Sequence, residues 1–218
     1  MKISPSESAI LQRDKKTFAI VPKIPCGLLK KEHLLALSAA VEKYDVPLVK
    51  ITSGQRIALI GLKEDQLDDI YADLDMAPGQ ATELCLHYVQ ACPGTEVCKF
   101  GVRDSIQFGT QIEELLAGKD LPAKLKIGIS GCPFSCAENN VRDIGLMGKK
   151  KGWTISFGGN SGRHARIGNI LAENASDSEV LVLIHKFLDY YIAHARKKER
   201  TSRFIERIGV EQLHTSLL

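Results

Sequence analysis

The chain has 218 residues, 44% of them hydrophobic and 25% charged, which is ordinary for a soluble globular protein able to bury one core or to split into two modules. No apolar run approaches the roughly 20 residues of a membrane helix, and the opening MKISPSESAI lacks the apolar centre of a secretory signal, so a cytoplasmic protein with no membrane partner is expected. A net charge of +3, without a basic stripe interleaved with aromatics, gives no reason to expect nucleic acid and suits a small anionic substrate or cofactor.

In chain order, residues 17–22 (TFAIVP) read as a strand. A helix follows over 31–44, with Leu34, Leu37, Val41 and Tyr44 on one face. Strands are expected at 48–52 and 56–62, joined by a tight turn at Ser53-Gly54. A second helix over 64–74 turns Leu67, Ile70, Tyr71 and Leu74 inward, with Glu64 and Asp65 suited to its N-terminus. This β-α-β-β-α order makes up most of a ferredoxin-like unit, and Met76 to Gln80 reads as a linker, so the expected modules are 1–77 and 78–218.

In the second module Asp104 is placed to cap a helix running to Leu116, with Phe108, Ile112 and Leu115 on one face and Gly118 ending it. A strand at 124–129 leads into SGCPFSCAENN. Strands at 143–147 and 153–157, a basic glycine-rich loop at 158–168, and helices at 178–195 and 201–208 complete the reading. The fold class is thus α+β: a ferredoxin-like half followed by a mixed α/β domain.

Four cysteines in two pairs carry most of the chemical information. Cys92 and Cys98 lie in ACPGTEVCKFG, and Cys132 and Cys136 in SGCPFSCAENN. Without a secretory signal they do not suggest a disulfide framework; Cys26 and Cys85, outside the pairs, read as packed residues. Short structural zinc knuckles use two to four intervening residues, which Cys132-x3-Cys136 meets and Cys92-x5-Cys98 exceeds. Pro93-Gly94 and Gly131-Cys132-Pro133 put both pairs on irregular backbone whose N–H groups can point at sulfur, as around an iron–sulfur cluster. Spacing alone favours a cluster and leaves zinc and plain packing open.

The two pairs, in ACPGTEVCKFG and SGCPFSCAENNVRDIG, resemble the signature of the nitrite/sulfite reductase family. TSGQRIALIGL at 52–62 is similar to part of that family's ferredoxin-like half, and the likeness covers roughly 17–210. The resemblance implies a 4Fe-4S cluster on Cys92, Cys98, Cys132 and Cys136, beside a sirohaem, with Cys136 bridging cluster and haem iron. It implies an oxidoreductase taking sulfite to sulfide or nitrite to ammonia; a non-catalytic electron carrier is the alternative of another class. Lys124 and Lys126, two apart on one strand face, match a lysine pair that the family uses to grip the oxyanion and deliver protons. Thr52 and Gln55 match a Thr-x-Arg-Gln segment in which Gly54 replaces the arginine, leaving Arg56 to compensate. Arg163 and Arg166 in the glycine-rich loop are expected to meet sirohaem carboxylates, and Asn139 to donate to cluster or cofactor. Larger members have two such halves, so this chain would hold sirohaem in a more open site or form a homodimer. No GxGxxG loop is present, so electrons would come from an external carrier such as a ferredoxin or a small cytochrome, with lysines 149–151 as a docking patch.

Overall fold

The computed structural model describes residues 8–218, in two compact units that part between Glu83 and Leu84. The first unit carries β1 (Ile10–Leu11), β2 (Phe18–Ile20), α1 (Lys31–Lys43), β3 (Leu48–Ile51), β4 (Ile57–Leu62) and α2 (Leu67–Leu74). Its sheet runs β1-β2-β4-β3, antiparallel throughout. The central strands give Ile20, Leu59 and Leu62 to a core closed by Leu37 and Ala40 of α1 and by Leu67, Ile70 and Leu74 of α2. The inward face expected for α2 is the one observed. On α1, Leu34 is 53% exposed and Ala40 takes the inward place, because the buried stripe runs through Leu37 and Ala40. The turn after β3 takes its left-handed residue at Gln55 (φ 58°) rather than at Gly54. The two-residue β1, too short to leave a periodic signal, fills the outer sheet position next to β2.

The second unit is a five-stranded sheet in sequence order: β5 (Leu86–Ala91), β6 (Leu125–Ser130), β7 (Ile144–Lys149), β8 (Gly152–Phe157) and β9 (Asn169–Ala175). β5, β6 and β7 are parallel; β8 and β9 are antiparallel. Its helices are α3 (Ser105–Leu115), α4 (Asp177–His194), α5 (Thr201–Ile208) and α6 (Val210–Leu217). Sequence reasoning did not find β5, β9 or α6. Asp104 caps α3 as expected, accepting the Gln107 N–H at 2.9 Å. Leu115 is 46% exposed, however, and Leu116 is buried in its stead.

The faces of this sheet differ in chemistry. Ile127, Ile129, Ile144, Leu146, Ile155 and Phe157 alternate onto one face, where Phe108 of α3 stacks on Trp153 and Phe187 of α4 stacks on Phe157. The other face carries Tyr88, Gln90, Lys126, Gly128, Gly145 and Ser156. The connection from β6 to β7 folds back over it. A Cβ on Gly128 would lie 2.7 Å from the Ala137 carbonyl oxygen and 2.9 Å from the Asn139 Cα, and one on Gly145 would lie 2.1 Å from the Asn139 carbonyl oxygen. Glycine at these positions lets backbone sit directly on the sheet.

Candidate functional site

Both cysteine pairs lie in crossover connections leaving the C-terminal ends of adjacent parallel strands, where open α/β sheets bind ligands. Cys92 follows β5 directly, and its N–H continues the ladder to the Ile129 carbonyl at 3.1 Å. Its sulfur accepts the Gly131 N–H at 3.1 Å and lies 3.3 Å from the Ser105 hydroxyl, which donates to the Cys92 carbonyl at 2.8 Å. The Gly131 carbonyl accepts N–H bonds from Val102 and Arg103 at 2.9 and 3.1 Å, stitching the second cysteine loop to the first. Gly94, at φ 56°, has no room for a Cβ, which would lie 2.4 Å from the Ser105 Oγ. Cys98 is held through its N–H to the Gly94 carbonyl at 3.1 Å.

In the second loop Ser135 and Glu138 both take positive φ. The Ala137 N–H donates to the Ser130 hydroxyl at 3.0 Å, turning the chain back onto the sheet immediately after Cys136. Cys92 and Cys132 are buried, Cys98 is half-buried and Cys136 is exposed; all four are free thiols. Four thiols on two interlocked loops, one sulfur already receiving a backbone N–H and one facing outward, fit a thiolate-held iron–sulfur cluster. Cys26 and Cys85 are buried and belong to neither loop.

A cluster of cations stands on the polar sheet face. Lys126 is half-buried, with its ammonium 5.5 Å from the centroid of the Tyr88 ring; the Arg142 guanidinium is 5.9 Å from the same ring. Burial lowers the proton affinity of Lys126, and the charges of Arg200, Lys124 and Arg142 lower it further against the opposing pull of Asp143. Asp143 is fully buried. It accepts Arg200 through both oxygens (2.7 and 3.3 Å), the Thr201 hydroxyl, and the Lys126 N–H at 2.9 Å. Arg142 reaches the Gln90 side chain at 2.7 Å, the Ser161 hydroxyl at 2.8 Å and the Glu138 carboxylate. The Ala137 carbonyl packs on Gly128, two residues from Lys126 on the same strand face, so the Cys136 loop covers the sheet next to the lysine.

Lys124 precedes β6, is exposed, and is near enough to depress Lys126. Asn139 is 2% exposed; its Nδ2 donates to Asn140, while its Oδ1 is a buried acceptor without a partner. Arg166 secures its own loop through the Gly158 carbonyl, Asn169 and Glu206, whereas Arg163 is exposed. Arg56, in the first unit, is buried and donates to the Gln80 carbonyl at 2.8 Å. Sequence reasoning missed Tyr88, Gln90, Arg142, Asp143 and Arg200. The available signal was the adjacent pair Arg142-Asp143 set between apolar residues in NVRDIGL.

The model of the nitrite and sulphite reductase 4Fe-4S domain matches residues 84–217, and that of the nitrite/sulfite reductase ferredoxin-like half domain matches residues 10–77. The chain belongs to the nitrite and sulfite reductase family. This family member is 53% identical over 212 residues to the assimilatory-type sulfite reductase of Nitratidesulfovibrio vulgaris, covering 97% of each chain. It is 38% identical over 209 residues to the nitrite reductase [NAD(P)H] of Bacillus subtilis, of which it spans 26%. Among solved structures, dissimilatory sulfite reductase I superposes with a TM-score of 0.82 at 14% identity, over 92% of this chain and 69% of the other. The Mycobacterium tuberculosis NirA protein superposes at 0.80 and 17%, over 92% and 40%. These structural likenesses speak for the fold. Among the described residues, no helix is long and apolar enough to cross a membrane.

Proposed function

We propose that this chain is a sulfite reductase of the assimilatory type, reducing sulfite to hydrogen sulfide with six electrons and eight protons and releasing three waters. The observation that carries the reading is the joining of four thiols on two interlocked loops to a half-buried cationic cluster on the same sheet. The relative matched along 97% of both chains favours sulfite over nitrite. Cys92, Cys98, Cys132 and Cys136 would hold a 4Fe-4S cluster, with a sirohaem bound beside it. When bound, these groups would supply electron transfer and redox chemistry to a substrate held beside them.

The remaining work falls to the chain's own side chains. Lys124, Lys126 and Arg142 favour an oxyanion over the sheet face. Lys126, whose proton affinity is lowered by burial and by neighbouring cations, is the side chain placed to give a proton to a leaving oxygen. Asp143 and Arg200 fix the start of β7 against Lys126. Asn139 is assigned to the cofactor side of the Cys136 loop, and Arg163 and Arg166 to sirohaem carboxylates. Electrons come from a separate carrier, in the cytoplasm.

Anaerobic purification tests this. Sirohaem absorption, with one cluster's iron and sulfide beyond the haem iron, and faster turnover of sulfite than of nitrite with reduced methyl viologen, are expected. Colourless protein holding only zinc would end the cofactor reading. Coloured protein idle toward both anions would move the chain to the electron carriers.

A further inference from the structure

A third group of ligand-type side chains stands apart from both cysteine loops. Glu83, Cys85 and His87 are spaced two apart across the entry to β5. Their ligand atoms, one each from carboxylate, thiol and imidazole, all lie within 4.8 Å of one another. Cys85 is 4% exposed and in no disulfide, His87 is 8% exposed, and Glu83 is half-buried. Among the described residues no other trio of histidine, cysteine and acidic side chains closes up in this way. At the strand rise per residue, Cys85 lies about 20 Å along β5 from Cys92, at the opposite end of the strand from the cysteine loops.

The local backbone explains why the three meet. Leu86 pairs with Leu125 and Tyr88 with Lys126, so β5 sets one extra residue, His87, against β6. A bulge of this kind re-aims the side chain it carries. The backbone just before it is pinned: the Leu84 and Cys85 carbonyls accept the N–H groups of Leu121 and Leu125, both at 2.8 Å. Glu83 is oriented through its Oε2, which accepts the N–H groups of Ala81 and Thr82 at 2.8 and 2.9 Å. A metal bond through the other carboxylate oxygen is compatible with that arrangement.

Cysteine beside histidine and a carboxylate is also the make-up of a nucleophilic triad. The burial of Cys85 argues against that use, since a substrate needs room at the sulfur and a metal ion needs almost none. One sulfur, one imidazole nitrogen and one carboxylate oxygen suit a tetrahedral ion of borderline softness, whereas magnesium and calcium call for oxygen throughout. Zinc bonds of about 2.0–2.3 Å set neighbouring ligand atoms about 3.5 Å apart, a short closure from the spacing observed. We infer that Glu83, Cys85 and His87 form a Zn²⁺ site, with a fourth position for water, and that the ion fastens the entry to β5. Binding releases the Cys85 thiol proton to solvent and transfers no electron. The site is therefore separate from the cysteine loops in role as well as place, and it does not rest on the reductase reading.

The test adds ZnCl₂ to cluster-loaded full chain, whose four loop cysteines are occupied, and removes loose metal by gel filtration. Three results are expected: about one equivalent of zinc retained, a zinc K-edge spectrum with one sulfur neighbour and the rest nitrogen or oxygen, and a Tm about 5 °C or more above that in EDTA. Cys85→Ser, His87→Gln and Glu83→Gln should each weaken zinc binding at least tenfold, with cluster absorbance and the Tm in EDTA close to wild type. Should either buried variant fail to fold, Glu83→Gln, at the half-buried position, decides. Wild-type protein that retains no zinc, zinc surrounded by several sulfurs, or a folded Glu83→Gln protein that binds zinc as wild type overturns the proposal. If no cluster assembles, the same titration is made on Cys98→Ser/Cys136→Ser protein, which cannot offer zinc four loop thiolates. Failure of the cofactor reading thus leaves the zinc site still open to disproof.

Discussion

Cys92 and Cys132 differ in kind from Cys98 and Cys136. The first two sit at or just past the ends of neighbouring parallel strands and are buried; the Cys92 sulfur already takes a backbone hydrogen bond from Gly131. The second two sit on irregular backbone, one half-buried and one exposed. Each pair therefore joins a residue that belongs to the fold to one whose role comes with the ligand.

The largest expected effect joins the two classes and the next separates them. Cys92→Ala and Cys136→Ala should each lower bound iron and sulfide and cut turnover more than about 100-fold, as loss of a first ligand would. Urea unfolding of the metal-free protein should then distinguish them: about 2 kcal/mol lost for Cys92→Ala, from its cavity and the stranded Gly131 N–H, and within about 0.5 kcal/mol of wild type for Cys136→Ala. Equal losses would break the comparison. Gly145→Ala acts from below the second loop. Its Cβ would press on the Asn139 carbonyl, so about 3 kcal/mol of destabilisation with reduced iron content is expected. Gly118→Ala, in open space at φ 73°, should cost about 1 kcal/mol and leave iron content unchanged.

The lysines offer a finer division between buried and exposed partners. Lys126→Gln should lower kcat for sulfite about 100-fold, in the range of a lost general acid. Lys124→Gln should do less and move the basic limb of the kcat–pH profile upward. Removing a like charge lets Lys126 hold its proton to higher pH, and a downward shift would contradict this. Smallest is an effect on stability alone. Hydrogen bonding to Arg207 holds the Glu199 carboxyl at about 2, below its ordinary 4.5. The stabilisation is therefore complete above about pH 5 and fades as pH falls toward 2. The Tm gap between wild type and Arg207→Gln should be steady from pH 7 to 5 and close below that.

What the sequence revealed follows the same line. Residues on short local loops leave a spacing, so the four cysteines could be singled out directly; strand period paired Lys124 with Lys126, although Lys124 falls just before β6. The helices over 31–43 and 67–74 announced themselves by periodicity. Arg142, Asp143 and Arg200 meet through long-range pairing, Asp143 and Arg200 being 57 residues apart, and no local pattern records that. β5 went unseen because all six residues of LHYVQA are buried although polar and apolar side chains alternate imperfectly along it. The faces of α1 and α3 were each misjudged by one side chain, because helical period fixes a stripe's width better than its centre.

The outer strand of the first sheet has a practical side. Because β1 comes from the front of the chain, the backbone after α2 is not needed to finish that sheet. A shortened protein starting beyond Leu11 would bare the outer hydrogen-bonding edge of β2, a ready template for another molecule's strand. Removing β1 should therefore show itself in solubility and yield, long before any assay of turnover is reached.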